Sequence, residues 1–510
     1  MSVHRFTEIR IPIDASNHAI MRDEELCVKC GACRRVCESD VVVGRLYDLE
    51  SAGDVPICIH CGQCANVCPT GSISERYEYH DVKKAVGDPD RIVVFNTSPS
   101  VRVGLGEEFG LGPGAFVEGK MVASLRALGA DYVLDTNFAA DLTIMEEASE
   151  LVDRIVGRKK PLPQFTSCCP SWIKFVETFY PSLLPHVSSA KSPIGMQGPS
   201  VKTYFADQHG IDPGKIVNVA VTPCTAKKFE IRRGEMNAAS GEVGVPGMRD
   251  MDHVITTREL ARWLREEGVD FGALPDGDYD RIMGEASGAG VIFGNTGGVM
   301  EAAARSAFRF VTGENPGGDY LNLGAVRGMD GVREATIDVA GTPLSVAVAH
   351  GMDNARRLVE DVLAGTCDYD FIEVMNCRGG CVGGGGQPRT EVPMSDDILG
   401  ARIAALYERD GGMQLRFSHE NPDIKAAYAR YYGKPLGPVA ERLLHTSYRD
   451  RGDDLGPRGV VERPLSQVAV HRCVVCGYRH VGDLPEGFVC PICAVSVDKF
   501  ESLPDPRPAV

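Results

Sequence analysis

The sequence predicts an α/β multidomain protein, with a small α+β cysteine-rich unit first, a large α/β body next and a small metal knuckle last. Three observations carry that prediction. A chain of 510 residues exceeds one ordinary core and calls for about two to four domains. Its 43% hydrophobic and 24% charged residues describe a globular protein, not a disordered one. Its 18 cysteines are grouped, not scattered. They fall at Cys27, Cys30, Cys33, Cys37; at Cys58, Cys61, Cys64, Cys68; at Cys168, Cys169, Cys224, Cys377, Cys381; and at Cys473, Cys476, Cys490, Cys493, with Cys367 alone. Clusters of C-x2-C with wide gaps between them are metal spacing, whereas disulfide scaffolds are usually short secreted chains.

Residues 1–85 carry an internal repeat: each of the first four cysteines recurs 31 positions later. Both copies read C-x2-C-x2-C-x3-C, which resembles the bacterial two-cluster ferredoxins. Three closely spaced thiolates wrap three corners of an iron–sulfur cube, and the fourth lies too far round and serves the neighbouring cube. On that logic Cys27, Cys30, Cys33 and Cys68 hold one 4Fe-4S cluster, and Cys58, Cys61, Cys64 and Cys37 the other. Pro69 follows the last cysteine as the pattern asks, while Glu38 stands after Cys37 in its place. Zinc is the competing occupant of such thiols.

Residues 86–450 read as one large α/β body. Arg91-Ile-Val-Val-Phe95 and Lys215-Ile-Val-Asn-Val-Ala-Val221 are β-rich runs, and Ala140 to Gly157 has helical spacing with Ile144, Ala148, Leu151 and Ile155 on one face. Alternation of this kind predicts partly parallel sheets, whose strand ends are where sites form. Gly104-Leu-Gly106-Glu-Glu-Phe-Gly110 has the wrong spacing for a dinucleotide fingerprint, and there is no P-loop, so no NAD or ATP site is expected.

Residues 451–464 turn polar and rich in Gly, Pro, Asp and Arg, and read as a linker. Residues 465–510 hold Cys473-Val-Val-Cys476-Gly477-Tyr478 and Cys490-Pro-Ile-Cys493, with thirteen residues between the halves. This resembles the short rubredoxin-like module of rubrerythrins, one iron in four thiolates; a structural zinc ribbon would use the same sulfur set.

Three further stretches resemble the H-cluster motifs of the iron-only (FeFe) hydrogenases: Thr166-Ser-Cys168-Cys169-Pro170-Ser-Trp172, Thr222-Pro-Cys224-Thr-Ala-Lys227-Lys228-Phe-Glu230, and Glu373-Val-Met-Asn-Cys377-Arg-Gly-Gly-Cys381-Val-Gly-Gly-Gly-Gly-Gln387-Pro388. The likeness extends over Asp135 to Glu147, Phe293 to Glu301, Ser418-His-Glu-Asn421 and Gly433-Lys-Pro435. It implies an H-cluster, a 4Fe-4S cube joined to a diiron subsite with CO, CN and a bridging dithiolate. Cys169, Cys224, Cys377 and Cys381 would ligate the cube, with Cys381 bridging to the diiron. The surplus thiol, Cys168, would pass protons, continued by Glu147, Ser188 and Glu150. The bland alternative pairs Glu150 with Arg154 and leaves Glu147 solvated. Lys227 would face a cyanide ligand, Lys228 being expected at the surface; Pro99, Ser100, Met375 and Phe293 would close the pocket. Thr222 and Asn376 depart from the family's usual Met and Ala, and either could retune the site. Cys367 is expected to be a buried or stray thiol.

The resemblance implies reversible reduction of protons to H2 by a ferredoxin-type hydrogenase. The rivals are a hydrogenase-like sensory or iron–sulfur assembly protein, and a pure electron relay ending in the rubredoxin-like tail. Expected partners are a redox carrier, such as a ferredoxin or a rubredoxin-linked protein, and hydrogenase maturation proteins. The formal charge of −16 argues against sequence-independent nucleic-acid binding. Met1 to Ser16 lacks a signal-peptide core and no apolar run reaches membrane-span length, so cytoplasmic localisation without membrane insertion is expected.

Overall fold

In the N-terminal unit, strands β1 (Ile20–Arg22) and β2 (Ile73–Glu75) pair antiparallel, and both cysteine runs lie between them. The computed structural model describes residues 9–49, 51–52, 55–157, 159–339, 341–389, 395–463, 470–475, 478–481, 484, 487–490 and 493–503. Helix Ala32–Ser39 carries Cys33 and Cys37, and helix Gln63–Asn66 carries Cys64, with Cys68 just beyond its end. Each is entered through a left-handed glycine, Gly31 at φ 79° and Gly62 at φ 72°. The sequence repeat is thus a structural repeat, because the same sharp entry turns three nearby cysteines toward one centre. Glu38, in the place of the expected proline, is buried and accepts from Arg34 Nε over 2.8 Å. The unit shares its core with the body: Val36, Leu46, Tyr47 and Ile59 belong to one apolar cluster with Phe165, Trp172 and Ile372.

The body strands are β3 (Ile92–Thr97), β4 (Tyr132–Asp135), β5 (Gln164–Phe165), β6 (Ile216–Thr222), β7 (His253–Thr256), β8 (Val332–Val339), β9 (Thr342–His350) and β10 (Phe371–Met375). One sheet has the order β4-β3-β6-β7 and is parallel throughout. The other runs β5-β10-β9-β8, parallel except for the β8–β9 pair. The two β-rich runs of the sequence become the central neighbours β3 and β6. Val93, Val94, Phe95, Val219, Ala220 and Val221 are all buried, as strands covered on both faces require.

The helix predicted from Ala140 starts earlier, at Thr136, because Asp135 Oδ1 accepts the Asn137 backbone N–H over 2.8 Å. Ile144, Ala148 and Leu151 are buried along it, and Ile155 is half-buried near its end.

The segment read as a linker is tied down over residues 451–463. Arg451 Nε meets Glu177 Oε2 at 2.6 Å, Val461 N donates to Leu46 O at 3.0 Å and Arg463 N to Arg45 O at 2.8 Å. Beyond it β11 (Val470–Cys473) lies between β12 (Arg479–Val481) and β13 (Phe500–Leu503), antiparallel to both. Among the described residues, no helix is long and apolar enough to cross a membrane.

Candidate metal centres and proton path

The segments bearing the three motifs leave the C-terminal ends of parallel strands: Cys168 and Cys169 follow β5, Cys224 follows β6 and Cys377 follows β10, while Pro99 and Ser100 follow β3. Two sheets thereby aim their strand ends at one place, where open backbone can hold a ligand.

The eight N-terminal thiols gather in the exchanged sets. Burial pushes Cys30 up to about 11, and Cys33, Cys68 and Cys27 lie near enough to push it further. Burial also raises Cys37, and Cys61 and Cys58 add to the rise. Cys68 therefore sits with the first run and Cys37 with the second, the arrangement that two adjacent cubes need.

Cys169, Cys224, Cys377 and Cys381 converge in the body. Burial raises Cys381 well above an ordinary thiol, followed by Cys224, Cys169 and Cys377. Protein encloses all four. The glycine loop packs its backbone directly against neighbouring backbone. A Cβ on Gly380 would come within 2.5 Å of Thr296 N, and Cβ atoms on Gly383, Gly384 and Gly385 would strike backbone carbonyls of Arg378, Pro223 and Cys61. Four enclosed thiols brought together in this way fit a four-iron cube, whose binding must displace their protons.

Cys168 is buried beside this set. Burial pushes its thiol well up, then Glu147, Cys169 and Cys381 add to the shift. Glu147 is fully buried, not solvated; the Ser167 backbone N–H and the Ser188 hydroxyl approach it, and among the described residues neither carboxylate oxygen completes a hydrogen bond. Burial first, then the Glu150 charge, pushes Glu147 up to about 8, with Ser167 and Ser188 pulling the other way. Ser188 Oγ donates to Glu150 Oε2 over 2.8 Å. Burial would raise Glu150, but Arg154 and Lys160 outweigh it and hold it at about 2. The Glu150–Arg154 pair exists at 2.7 Å, so it coexists with the Ser188 contact. Lys160, half exposed, reaches Glu150 Oε1 at 2.8 Å and marks the solvent end.

Lys227 Nζ is buried, 2.8 Å from Glu230 Oε2 and 3.1 Å from the Cys168 carbonyl. Burial would lower it, yet Glu230 and Cys224 keep it above its ordinary value and charged. Lys228 is not at the surface: it is fully buried, with Nζ 2.9 Å from Glu259 Oε2 and a second carboxylate, Glu78, nearby. Successive residues of helix Lys227–Glu230 point about 100° apart, so Lys227 reaches Glu230 and the Cys168 carbonyl while Lys228 reaches Glu259 and Glu78. Pro99, Ser100, Phe293 and Met375 are all buried, and among the described residues the Ser100 hydroxyl has no hydrogen-bond partner. Cys367 is half-buried against the shared core.

In the C-terminal knuckle, Cys473, Cys490 and Cys493 present sulfurs within 4.8 Å of one another, close enough for one ion. Cys476 lies outside the described residues.

Sequence reasoning missed several supporting residues. Glu373 opens the third motif, is buried, and accepts the backbone N–H of Gly297 at 2.6 Å and Met300 at 2.7 Å, fixing helix Gly298–Thr312 against β10. His445 joins Glu146 (3.0 Å) to Ser189 (3.0 Å), and Ser189 N donates to Glu150 at 2.9 Å. Gln63 Nε2, from the N-terminal unit, lies 3.2 Å from Cys377 Sγ. Only the position of Gln63 between two cysteines hinted at its role.

Fold and site together define an iron–sulfur oxidoreductase. The model for the iron-only hydrogenase large subunit, C-terminal domain, matches residues 91–385, and that for the iron hydrogenase small subunit matches 396–451. A 4Fe-4S dicluster domain matches 19–78, and a rubrerythrin, rubredoxin-like domain matches 471–501. The chain is 44% identical to the NADP-reducing hydrogenase subunit HndD of Solidesulfovibrio fructosivorans over 85% of its length and 75% of the relative's. It is 42% identical to iron hydrogenase 1 of Clostridium pasteurianum, over 86% and 77%. An [FeFe]-hydrogenase HydA1 variant from Chlamydomonas reinhardtii superposes with a TM-score of 0.65 at 42% identity, covering 74% of this chain and all of that one. More distant is the cytosolic iron-sulfur assembly component 3 of Bos taurus, 34% identical over 72% of this chain and 76% of the relative. The chain belongs to the iron-only (FeFe) hydrogenase family.

Proposed function

We propose that this protein catalyses the reversible reduction of protons to H2, with electrons delivered through its N-terminal iron–sulfur sites. The observation that carries the proposal is Cys168, a fifth thiol beyond the four a cube needs, buried between Glu147 and the Cys381 set. A purely electron-storing centre has no use for a titratable group there. When bound, the H-cluster supplies the redox chemistry at its diiron subsite.

The chain's own residues then have separable tasks. Cys169, Cys224, Cys377 and Cys381 hold the cube. Lys227, charged and buried, offers an N–H to an anionic diatomic ligand. Phe293 and Met375 exclude water. Protons enter at Glu150, pass through the Ser188 hydroxyl to Glu147, and reach the Cys168 thiol. The knuckle and N-terminal unit serve a redox carrier, a ferredoxin or a rubredoxin-linked protein.

A second reading, an iron–sulfur protein without H2 turnover, draws on the assembly-component relatives. Anaerobically matured protein separates the two. The hydrogenase reading expects infrared bands of metal-bound CO and CN, and a Cys168→Ala variant that keeps its iron and bands while losing most turnover. Full iron loading without such bands defeats it; near-full turnover in Cys168→Ala defeats the relay.

A further inference from the structure

Asn376 is the one polar residue of the third motif that the family pattern does not call for, and the structure gives it two sulfurs to serve. Its Nδ2 lies 3.6 Å from Cys377 Sγ, and the same amide faces Cys61. The reverse orientation would aim an oxygen lone pair at an anionic sulfur, so the N–H2 end belongs on the thiolates. Among the described residues, the buried Oδ1 has no hydrogen-bond partner. Gln63 approaches from the opposite module: Nε2 is 3.2 Å from Cys377 Sγ and 3.0 Å from Gly383 O. Its orientation is held by Asn66, whose Nδ2 is 3.3 Å from Gln63 Oε1 and whose Oδ1 takes Arg258 Nη1 at 2.8 Å. The module boundary is tight here, since Gly385 has no room for a Cβ against Cys61 and Gly62.

We propose that Asn376 and Gln63 form an amide bridge between Cys61 and Cys377 that raises the reduction potential of the two neighbouring clusters these thiolates bind. This rests on the iron–sulfur content proposed above. The physical cause is that an added electron puts more negative charge on the sulfurs, and N–H donors stabilise that form more than the oxidised one. Neither residue is catalytic; both act through the thiolates they touch. The cluster of Cys27, Cys30, Cys33 and Cys68 receives neither amide and serves as an internal reference.

The test is anaerobic redox titration of the matured full chain, read by electron paramagnetic resonance, for wild type, Asn376→Leu, Gln63→Leu and Asn376→Gln. At the potential where the wild-type cube is half reduced, each leucine variant is expected to show an about tenfold lower ratio of reduced to oxidised cube, a shift of about 59 mV for one electron. In Asn376→Leu the Cys61 cluster moves the same way, in Gln63→Leu only the cube moves, the reference cluster stays in both, and Asn376→Gln recovers most of the shift. Unchanged titrations, or an equal shift of the reference cluster, overturn the proposal. Iron analysis accompanies each variant, and where Asn376→Leu alone loses the cube, Gln63→Leu decides. Loss of the cube in both assigns the amides to holding the cluster and overturns the tuning role. The readout is independent of H2 turnover, so a potential shift in a protein that makes no H2 leaves this inference standing and defeats the hydrogenase reading.

Discussion

Glu147 and Glu150 stand one turn apart on a single buried helix, yet their environments drive them in opposite directions, Glu147 up to about 8 and Glu150 down to about 2. Burial acts on both. Arg154 and Lys160 decide the outcome at Glu150, whereas Glu147 forms no ion pair among the described residues and feels the Glu150 charge. Two carboxyls so separated can hand on a proton in one direction at neutral pH, the outer one ionised and the inner one protonated.

The first prediction concerns the inner carboxyl. Between its ordinary value of 4.5 and about 8, folded Glu147 keeps a proton that the unfolded chain has released. The folded state binds more protons in that window, so this group's stabilisation is full below about pH 4.5 and fades as pH rises to about 8. Glu147→Gln should flatten that fall, seen as a smaller loss of melting temperature between pH 5 and 8 under anaerobic conditions. It should also cut H2 turnover by roughly 10²–10⁴-fold, the usual worth of a positioned proton donor. An unchanged pH slope together with full turnover would remove Glu147 from the path.

Arg154 carries the second. Its guanidinium holds Glu150 at 2.7 Å and also donates to the carbonyls of Pro161, Pro185, His186 and Val187 at 2.9–3.2 Å. Arg154→Ala leaves those carbonyls and an anionic Glu150 in a buried site, at a cost of about 3–5 kcal/mol. Thermal unfolding should show it directly. Glu150 should rise from about 2, since Arg154 is the larger of its cations, and the acid limb of the pH–rate profile should move upward with it.

Much of this site was legible before any fold was known, because thiol spacing is a strong signal. The duplicated run required the exchange of Cys37 and Cys68, and the β-rich stretches became β3 and β6. What stayed hidden depended on tertiary partners. Lys228 looked like a surface lysine because its partners, Glu78 and Glu259, lie far away in sequence. Residues 451–463 looked like a linker because composition cannot reveal that Val461 and Arg463 bond to backbone more than 400 positions earlier. Gln63 reads as filler between cysteines until the glycine loop is folded against it.

Metal removal gives the third prediction. The knuckle's Cys473 ends β11, and Cys490 and Cys493 follow in the segment between β12 and β13, where the three sulfurs form a set of their own. A substitution there, Cys490→Ser, should lower metal content by one equivalent without altering the resonance signals of the iron–sulfur clusters. Loss of a visible thiolate-to-iron absorption in that variant would identify the metal as iron. A colourless wild-type knuckle holding zinc would assign it a structural role.

The last prediction tests the joint between modules. Gly385 has ordinary backbone angles, so alanine there is not excluded by strain. It is excluded by space: a Cβ would collide with the Cys61 carbonyl oxygen and come within 2.7 Å of Gly62 Cα. Both are backbone of the cysteine turn, which cannot swing aside as a side chain would. Gly385→Ala must therefore push the N-terminal unit off the glycine loop, lengthening the gap between Cys61 and Cys377 and breaking the Gln63 contact. Electron delivery from an external carrier should slow by an order of magnitude or more, while all clusters remain bound and the site still exchanges isotope between H2 and water, a reaction that needs no external electrons. Gly400→Ala is the control, since a Cβ there meets nothing within 4 Å. Carrier-linked rates equal in the two variants would mean that the close approach of Cys61 to the glycine loop does not govern electron entry.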